Sequence, residues 1–116
     1  MERLKVFNSI EGSILSAVVF VEDNLELQLN SATITLGVLP TVKVNDAYFQ
    51  PDSKRYREML SSLVGKSISG IFALDEYTTE ICFDSASTLT VSRNNDLSEP
   101  PEILVLEKLG EPIVVW

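Results

Sequence analysis

The sequence predicts an α+β domain of mainly antiparallel sheet, built as two αβββ-like repeats with pseudo-twofold symmetry plus a C-terminal hairpin. Three observations lead there. Apolar and polar residues alternate with a period of two in several separate stretches. Tyr56, Met59, Leu60 and Leu63 recur at helical spacing. The two halves of the chain also resemble one another.

The self-similarity is read residue by residue. Gly12-Ser13-Ile14-Leu15-Ser16-Ala17-Val18-Val19 aligns with Gly65-Lys66-Ser67-Ile68-Ser69-Gly70-Ile71-Phe72. Each stretch reaches an acidic pair, Glu22-Asp23 and Asp75-Glu76. Glu26-Leu27-Gln28-Leu29-Asn30-Ser31-Ala32 then aligns with Glu80-Ile81-Cys82-Phe83-Asp84-Ser85-Ala86, and Thr33-Ile34-Thr35-Leu36 with Thr88-Leu89-Thr90-Val91. The offset drifts from 53 to 55 residues, so two one-residue insertions are needed, and both fall at expected turns. On this basis residues 1–116 form a single domain. Repeat 1 spans about 2–38, the joint about 39–51, repeat 2 about 52–93 and the hairpin about 102–116.

The elements follow in order. Leu4, Phe7 and Ile10 precede Gly12 in the register of a short first helix, which has no capping residue and includes the strand formers Val6 and Phe7. Leu15, Ala17, Val19 and Val21 are expected to share one face of the first strand, with Ile68, Gly70, Phe72 and Leu74 as their counterparts. Val18 and Phe20 put further apolar groups on the opposite face, to be covered by a helix or by another subunit. Leu25, Leu27 and Leu29 alternate with Glu26, Gln28 and Asn30, as in a strand buried on one side. Ile81 and Phe83 repeat the pattern, and Ile34, Leu36, Leu89 and Val91 alternate with threonines. In the joint, Thr41-Val42-Lys43-Val44 suits one more strand and Asn45-Asp46 a turn. Pro51-Asp52-Ser53 offers a capping start to the second helix, and Gly65 its stop. After Pro100-Pro101, Ile103–Leu106 and Ile113–Trp116 flank Gly110 as a closing hairpin.

Composition bounds the function. The 116 residues are 45% hydrophobic, enough for a real core without disulfide or metal. The single cysteine, Cys82, rules out an intramolecular disulfide and a multi-cysteine zinc site. Histidine is absent, which removes the commonest general base and metal ligand. No apolar run approaches the roughly 20 residues of a membrane helix, and the N-terminus lacks a signal-peptide core. The expectation is a cytoplasmic protein that binds neither membrane nor nucleic acid, since a net charge of −8 repels phosphates.

The candidate motifs each have a plain structural account. Gly65-Lys66-Ser67 resembles the end of a phosphate-binding loop, but Leu60 stands where that loop needs glycine, and a helix precedes the motif instead of following it. Glu22-Asp23 and Asp75-Glu76 could share a divalent cation if the repeats brought them together, yet no alternating oxygen-ligand loop is present, so no metal is expected. Glu26, Glu80, Asn30 and Asp84 occupy equivalent outward positions, but no nucleophile accompanies them. A Ser–Lys pair with Lys66 has no supporting motif, and Cys82 has acidic neighbours where a reactive thiol wants basic ones. Lys54, Arg55 and Arg57 form a basic cluster that could meet a phosphate or an acidic partner, or simply be the solvated side of a helix.

The sequence therefore points away from catalysis and cofactors. It suits an acidic protein-interaction module for a basic partner, in its sharpest form an immunity or inhibitor protein, with Glu22, Asp23, Glu26, Asp75, Glu76, Glu80 and Asp84 as the binding acids. The alternatives are a homodimeric assembly subunit using Val18, Phe20, Tyr48, Phe49 and Trp116, or a small-ligand-binding domain.

Overall fold

The computed structural model describes residues 4–6, 10–22, 24–75, 77–83, 86–92, 104–108 and 114–115. It is mostly antiparallel sheet, with eleven strands among the described residues: β1 (Leu4–Val6), β2 (Leu15–Val21), β3 (Asn24–Leu29), β4 (Ala32–Leu36), β5 (Thr41–Val44), β6 (Ala47–Phe49), β7 (Ile68–Ala73), β8 (Thr78–Phe83), β9 (Ser87–Ser92), β10 (Leu104–Lys108) and β11 (Val114–Val115). One short helix, α1 (Tyr56–Ser61), lies between β6 and β7.

Two sheets form, in the orders β1-β7-β8-β9-β5-β6 and β11-β10-β4-β3-β2. Each contains an antiparallel meander of consecutive strands, β2-β3-β4 or β7-β8-β9. The next strand of the chain crosses over each time. β5, which follows β4, pairs with β9, whereas β10, which follows β9, pairs with β4. Each sheet then ends in an antiparallel hairpin, β5-β6 or β10-β11. The two meanders are laced to each other at their first strands, where Ile14 bridges Ser67.

The alternating strands bury the residues that the pattern predicts. Leu25, Leu27, Ile34 and Leu36 from one sheet, and Ile81, Leu89, Val91 and Val42 from the other, are fully enclosed in a single core. Burial of this apolar surface is the main stabilising term, at roughly 25 cal/mol per Å².

Three expectations need correction. The N-terminal helix is instead strand β1, with Leu4 opposite Ala73 and Val6 opposite Ile71. The segment has no cap, and pairing with β7 satisfies a sheet edge that a three-residue helical turn could not. Phe7 lies outside the described residues; Ile10 is buried. The fold is accordingly more sheet-dominated than an even α+β mixture.

The second correction concerns β2 and β7. Leu15, Ala17, Val19 and Val21 do not share a face, because the register slips between Leu15 and Ala17. A bulge adds one residue and turns the following side chains over. Leu15 points inward before it, and Val18 and Phe20, opposite the core residues Leu27 and Leu25, pack inward after it. The same slip falls between Ile68 and Gly70, so Ile71 replaces Gly70 and Phe72 on the core side. There the Phe72 ring lies over Gly70, with ring carbons 2.8 Å from where a Cβ would stand.

Third, α1 begins later than Pro51-Asp52-Ser53. Those residues form tight turns, with the Ser53 and Tyr56 amides donating to the carbonyls of Gln50 and Ser53. The apolar stripe is nevertheless correct: Tyr56, Leu60 and Leu63 are buried, and Met59 packs beside them. Gly65 ends the segment with φ +96°, and Gly12 takes φ +88° before β2, a region open to glycine at little cost. Asn45 and Asp46 both adopt positive φ (51° and 69°), which matches the twist of a two-residue hairpin.

Candidate functional site

The outward positions of the meanders carry the candidate acids. Glu26 faces out from β3 between Val19 and Thr35, and Glu80 faces out from β8 between Phe72 and Thr90. Both are half-buried by their neighbours. Gln28 Nε2 donates to Glu26 Oε1 at 3.4 Å, and Cys82 Sγ lies 3.1 Å from Glu80 Oε1 as a thiol donor. Because each residue stands on the outer side of a different sheet, the two carboxylates belong to separate surfaces of the domain.

The turn acids are placed differently. Glu22 is exposed with φ 55° just after β2, and Asp75 is exposed, its Oδ1 accepting the Tyr77 amide at 2.7 Å. Asp23, Glu76 and Asp84 lie outside the described residues. Among the described residues no three Asp, Glu, Cys or His side chains come together as a metal site.

The aromatic candidates split in two. Phe20 and Phe49 pack against the core edge, and cations lie over them: the Arg57 guanidinium is 4.2 Å from the Phe20 ring centre, and that of Arg55 is 5.9 Å from Phe49. Val18 is likewise partly buried on the core side, so the outer-face cover expected for Val18 and Phe20 is not what shields them; α1 also contacts β2. Tyr48 is 66% exposed, with Lys43 5.7 Å from its ring centre. Trp116 lies outside the described residues.

A feature the sequence did not delimit is the cleft where the end of β2 meets the approach to α1. It has a volume of about 390 Å³ and is lined by Phe20, Glu22, Leu39, Pro51, Ser53, Lys54, Tyr56 and Arg57. Tyr56 anchors its floor: the buried hydroxyl donates to the Pro40 carbonyl at 2.5 Å, and burial pushes the phenol above its ordinary range. The basic cluster on this segment was legible in the sequence, but the position of Arg57 over Phe20 depends on the bulge that turns Phe20 inward.

The remaining chemistry is sparse. Cys82 is a free thiol on β8, half-buried beside Glu80. Lys66 and Ser67 sit at the lacing point of the meanders, where the Lys66 carbonyl accepts the Leu15 amide at 2.9 Å. No helix among the described residues is long and apolar enough to cross a membrane. The chain matches no protein-family model, no curated protein and no solved structure.

Proposed function

We propose that this chain is a non-catalytic, cytoplasmic interaction module that presents acidic surfaces, built twice over, to a basic protein partner. The observation that carries the reading is the equivalence of Glu26 and Glu80, outward carboxylates at matching places in two meanders of a chain with net charge −8.

The duplication itself is part of the proposal, and the hydrogen bonds at the lacing point support it. Gly12 N–H donates to Ile68 O at 2.7 Å, and Gly65 N–H donates to Leu15 O at 2.8 Å. Ile68 N–H donates to Ser13 O at 2.8 Å, and Leu15 N–H to Lys66 O at 2.9 Å. A shift of 53 residues turns each bond of a pair into the other, and also exchanges Ile14 with Ser67. The bulges obey the same shift, each accompanied by a serine hydroxyl donating across the strands: Ser16 to Gln28 O at 2.8 Å and Ser69 to Cys82 O at 3.1 Å. Two αβββ-derived copies about a pseudo-twofold axis at the Ile14–Ser67 bridge account for all of these pairs, with α1 retained in one copy and a strand in its place in the other.

An acidic surface steers a basic partner over distances of about the Debye length and sets specificity by charge complementarity. An immunity or inhibitor protein against a basic toxin or nucleic-acid enzyme is the sharpest form of this role. Affinity co-purification of the tagged protein from its native host at low and high salt tests it. A stoichiometric basic protein that is lost at high salt supports the reading; recovery of the bait alone at both salts overturns it.

A second reading, a homodimer through Val18, Phe20, Tyr48, Phe49 and Trp116, draws on Tyr48, which is 66% exposed. Sedimentation that gives a monomer throughout the micromolar range excludes it.

A further inference from the structure

The cleft between the end of β2 and the approach to α1 has the charge opposite to that of the molecule around it. Two cations line it, Lys54 and Arg57, against one carboxylate, Glu22, in a chain whose net charge is −8. Other described cations are already matched. Arg55 Nε lies 3.3 Å from Glu58 Oε2, and Lys43 Nζ lies 3.8 Å from Asp46 Oδ1. Lys54 and Arg57 form no ion pair among the described residues.

Arg57 is also held in place. Its guanidinium carbon lies over the Phe20 ring, 4.2 Å from the ring centre, close enough for a face of the group to rest on the ring. The N–H groups of a guanidinium lie in its plane, and stacking leaves that edge for an oxyanion, which it can grip with two parallel bonds. Stacking further reduces the side-chain entropy lost when a ligand binds. Beyond the charged rim, Phe20, Leu39, Pro51 and Tyr56 supply apolar wall, and Ser53 supplies a hydroxyl.

The cleft has a structural origin. The outer edge of β7 is filled by strand β1, whereas β2 is the last strand of its sheet and has α1 packed beside it. The cleft opens where the end of β2, at Phe20 and Glu22, meets the segment from Pro51 to Arg57 that leads into α1. Its volume, about 390 Å³, falls in the range that holds a small organic ligand.

We propose that this cleft binds a small aromatic oxyanion, an aryl carboxylate or aryl phosphate, with the charged group on Arg57 and Lys54 and the ring against Leu39, Pro51 and Tyr56. This site does not include Glu26 or Glu80, the acids that carry the function proposed above, and shares only Glu22 at its rim with the wider acidic set; its ligand has the opposite charge to their partner.

Two-dimensional amide NMR of the full chain, titrated separately with benzoate, phenyl phosphate, inorganic phosphate and benzyl alcohol, tests the assignment. Benzoate or phenyl phosphate is expected to give saturating shifts centred on Phe20, Glu22, Lys54, Tyr56 and Arg57, with half-saturation near or below roughly 1 mM. Whichever saturates at the lower concentration identifies the oxyanion. Benzyl alcohol, which has the ring without the charge, and inorganic phosphate, which has the charge without the ring, are expected to bind more weakly than the better aryl anion by about fivefold or more. Lys54→Gln and Arg57→Gln are each expected to weaken it by about fivefold. Arg57→Lys, which keeps the cation without the fork, is expected to retain part of the affinity. Lys54 and Arg57 are exposed, so unchanged melting temperatures will show that the variants fold. The proposal is overturned if no aryl anion gives saturating shifts up to roughly 10 mM, if benzyl alcohol or inorganic phosphate binds as well as the aryl anions, or if neither glutamine variant weakens binding.

Discussion

Replacing Tyr56 with phenylalanine removes one hydroxyl and keeps the ring. Tyr56 is 2% exposed, and its hydroxyl is the donor to the Pro40 carbonyl, itself in a buried residue. The variant leaves that carbonyl without this donor in a place water does not readily reach. A buried group orphaned in this way costs about 1–3 kcal/mol, and because the ring packing survives we expect a value near 1.5 kcal/mol. For a domain of this length the melting temperature should fall by about 6 °C. Urea unfolding at neutral pH should show a lower midpoint with an unchanged slope, since the exposed surface on unfolding hardly changes.

The same tyrosine makes a second, signed prediction. Burial raises its folded-state pKa above the unfolded value of about 10. A raised pKa means that its contribution is complete below the unfolded pKa and is lost as pH climbs toward the folded one. Wild-type stability should therefore decline above about pH 10, with a slope from this group of up to about 1.4 kcal/mol per pH unit, whereas the phenylalanine variant lacks that component. The gap between the two proteins should narrow as pH rises past 10. A stability difference under roughly 0.5 kcal/mol at neutral pH, or a gap that stays constant into the alkaline range, would refute the argument.

Further expectations concern backbone, core and surface. Gly12→Ala and Gly65→Ala should each cost about 1–2 kcal/mol in chemical denaturation; no atom lies within 4 Å of either new Cβ, so positive φ alone sets the cost, and two neutral variants would remove the turn argument. Thr79 is 1% exposed and its Oγ1 has no hydrogen-bond partner among the described residues. Thr79→Val should accordingly stabilise by about 1 kcal/mol, and a loss of stability would show that the hydroxyl is satisfied. Calcium at millimolar concentration should leave the melting temperature unchanged, because the described acids form no ligand set; a rise of several degrees would reveal a site.

The meander strands were readable in the sequence because each has one buried side, and alternation such as Leu25-Glu26-Leu27-Gln28-Leu29 records that directly. The bulges were not, since an extra residue leaves no fixed signature. Their one trace was the pair Val18 and Phe20, apolar on what an unbroken strand would make its outer face. Spacing suggested a helix at Leu4–Ile10 because residues three apart suit one. Whether that segment becomes helix or strand was decided by the edge of β7, more than sixty residues away in the chain. The crossed pairing of β5 with β9 and β10 with β4 is equally non-local. The cleft combines Phe20, Leu39 and Tyr56 from three separate segments, so only its basic members, Lys54 and Arg57, three residues apart, could be seen beforehand.

The proposed role stands or falls on outward charge at Glu26 and Glu80. Tagged wild-type protein and the Glu26→Gln/Glu80→Gln variant, each returned to the native host and recovered at low salt, allow the bound proteins to be quantified side by side. One basic partner should be captured by the wild type and substantially depleted with the variant, whose melting temperature stays close to wild type because both substitutions sit on outer sheet faces. Equal capture by both proteins, or capture of no basic protein by either, would contradict the proposed role.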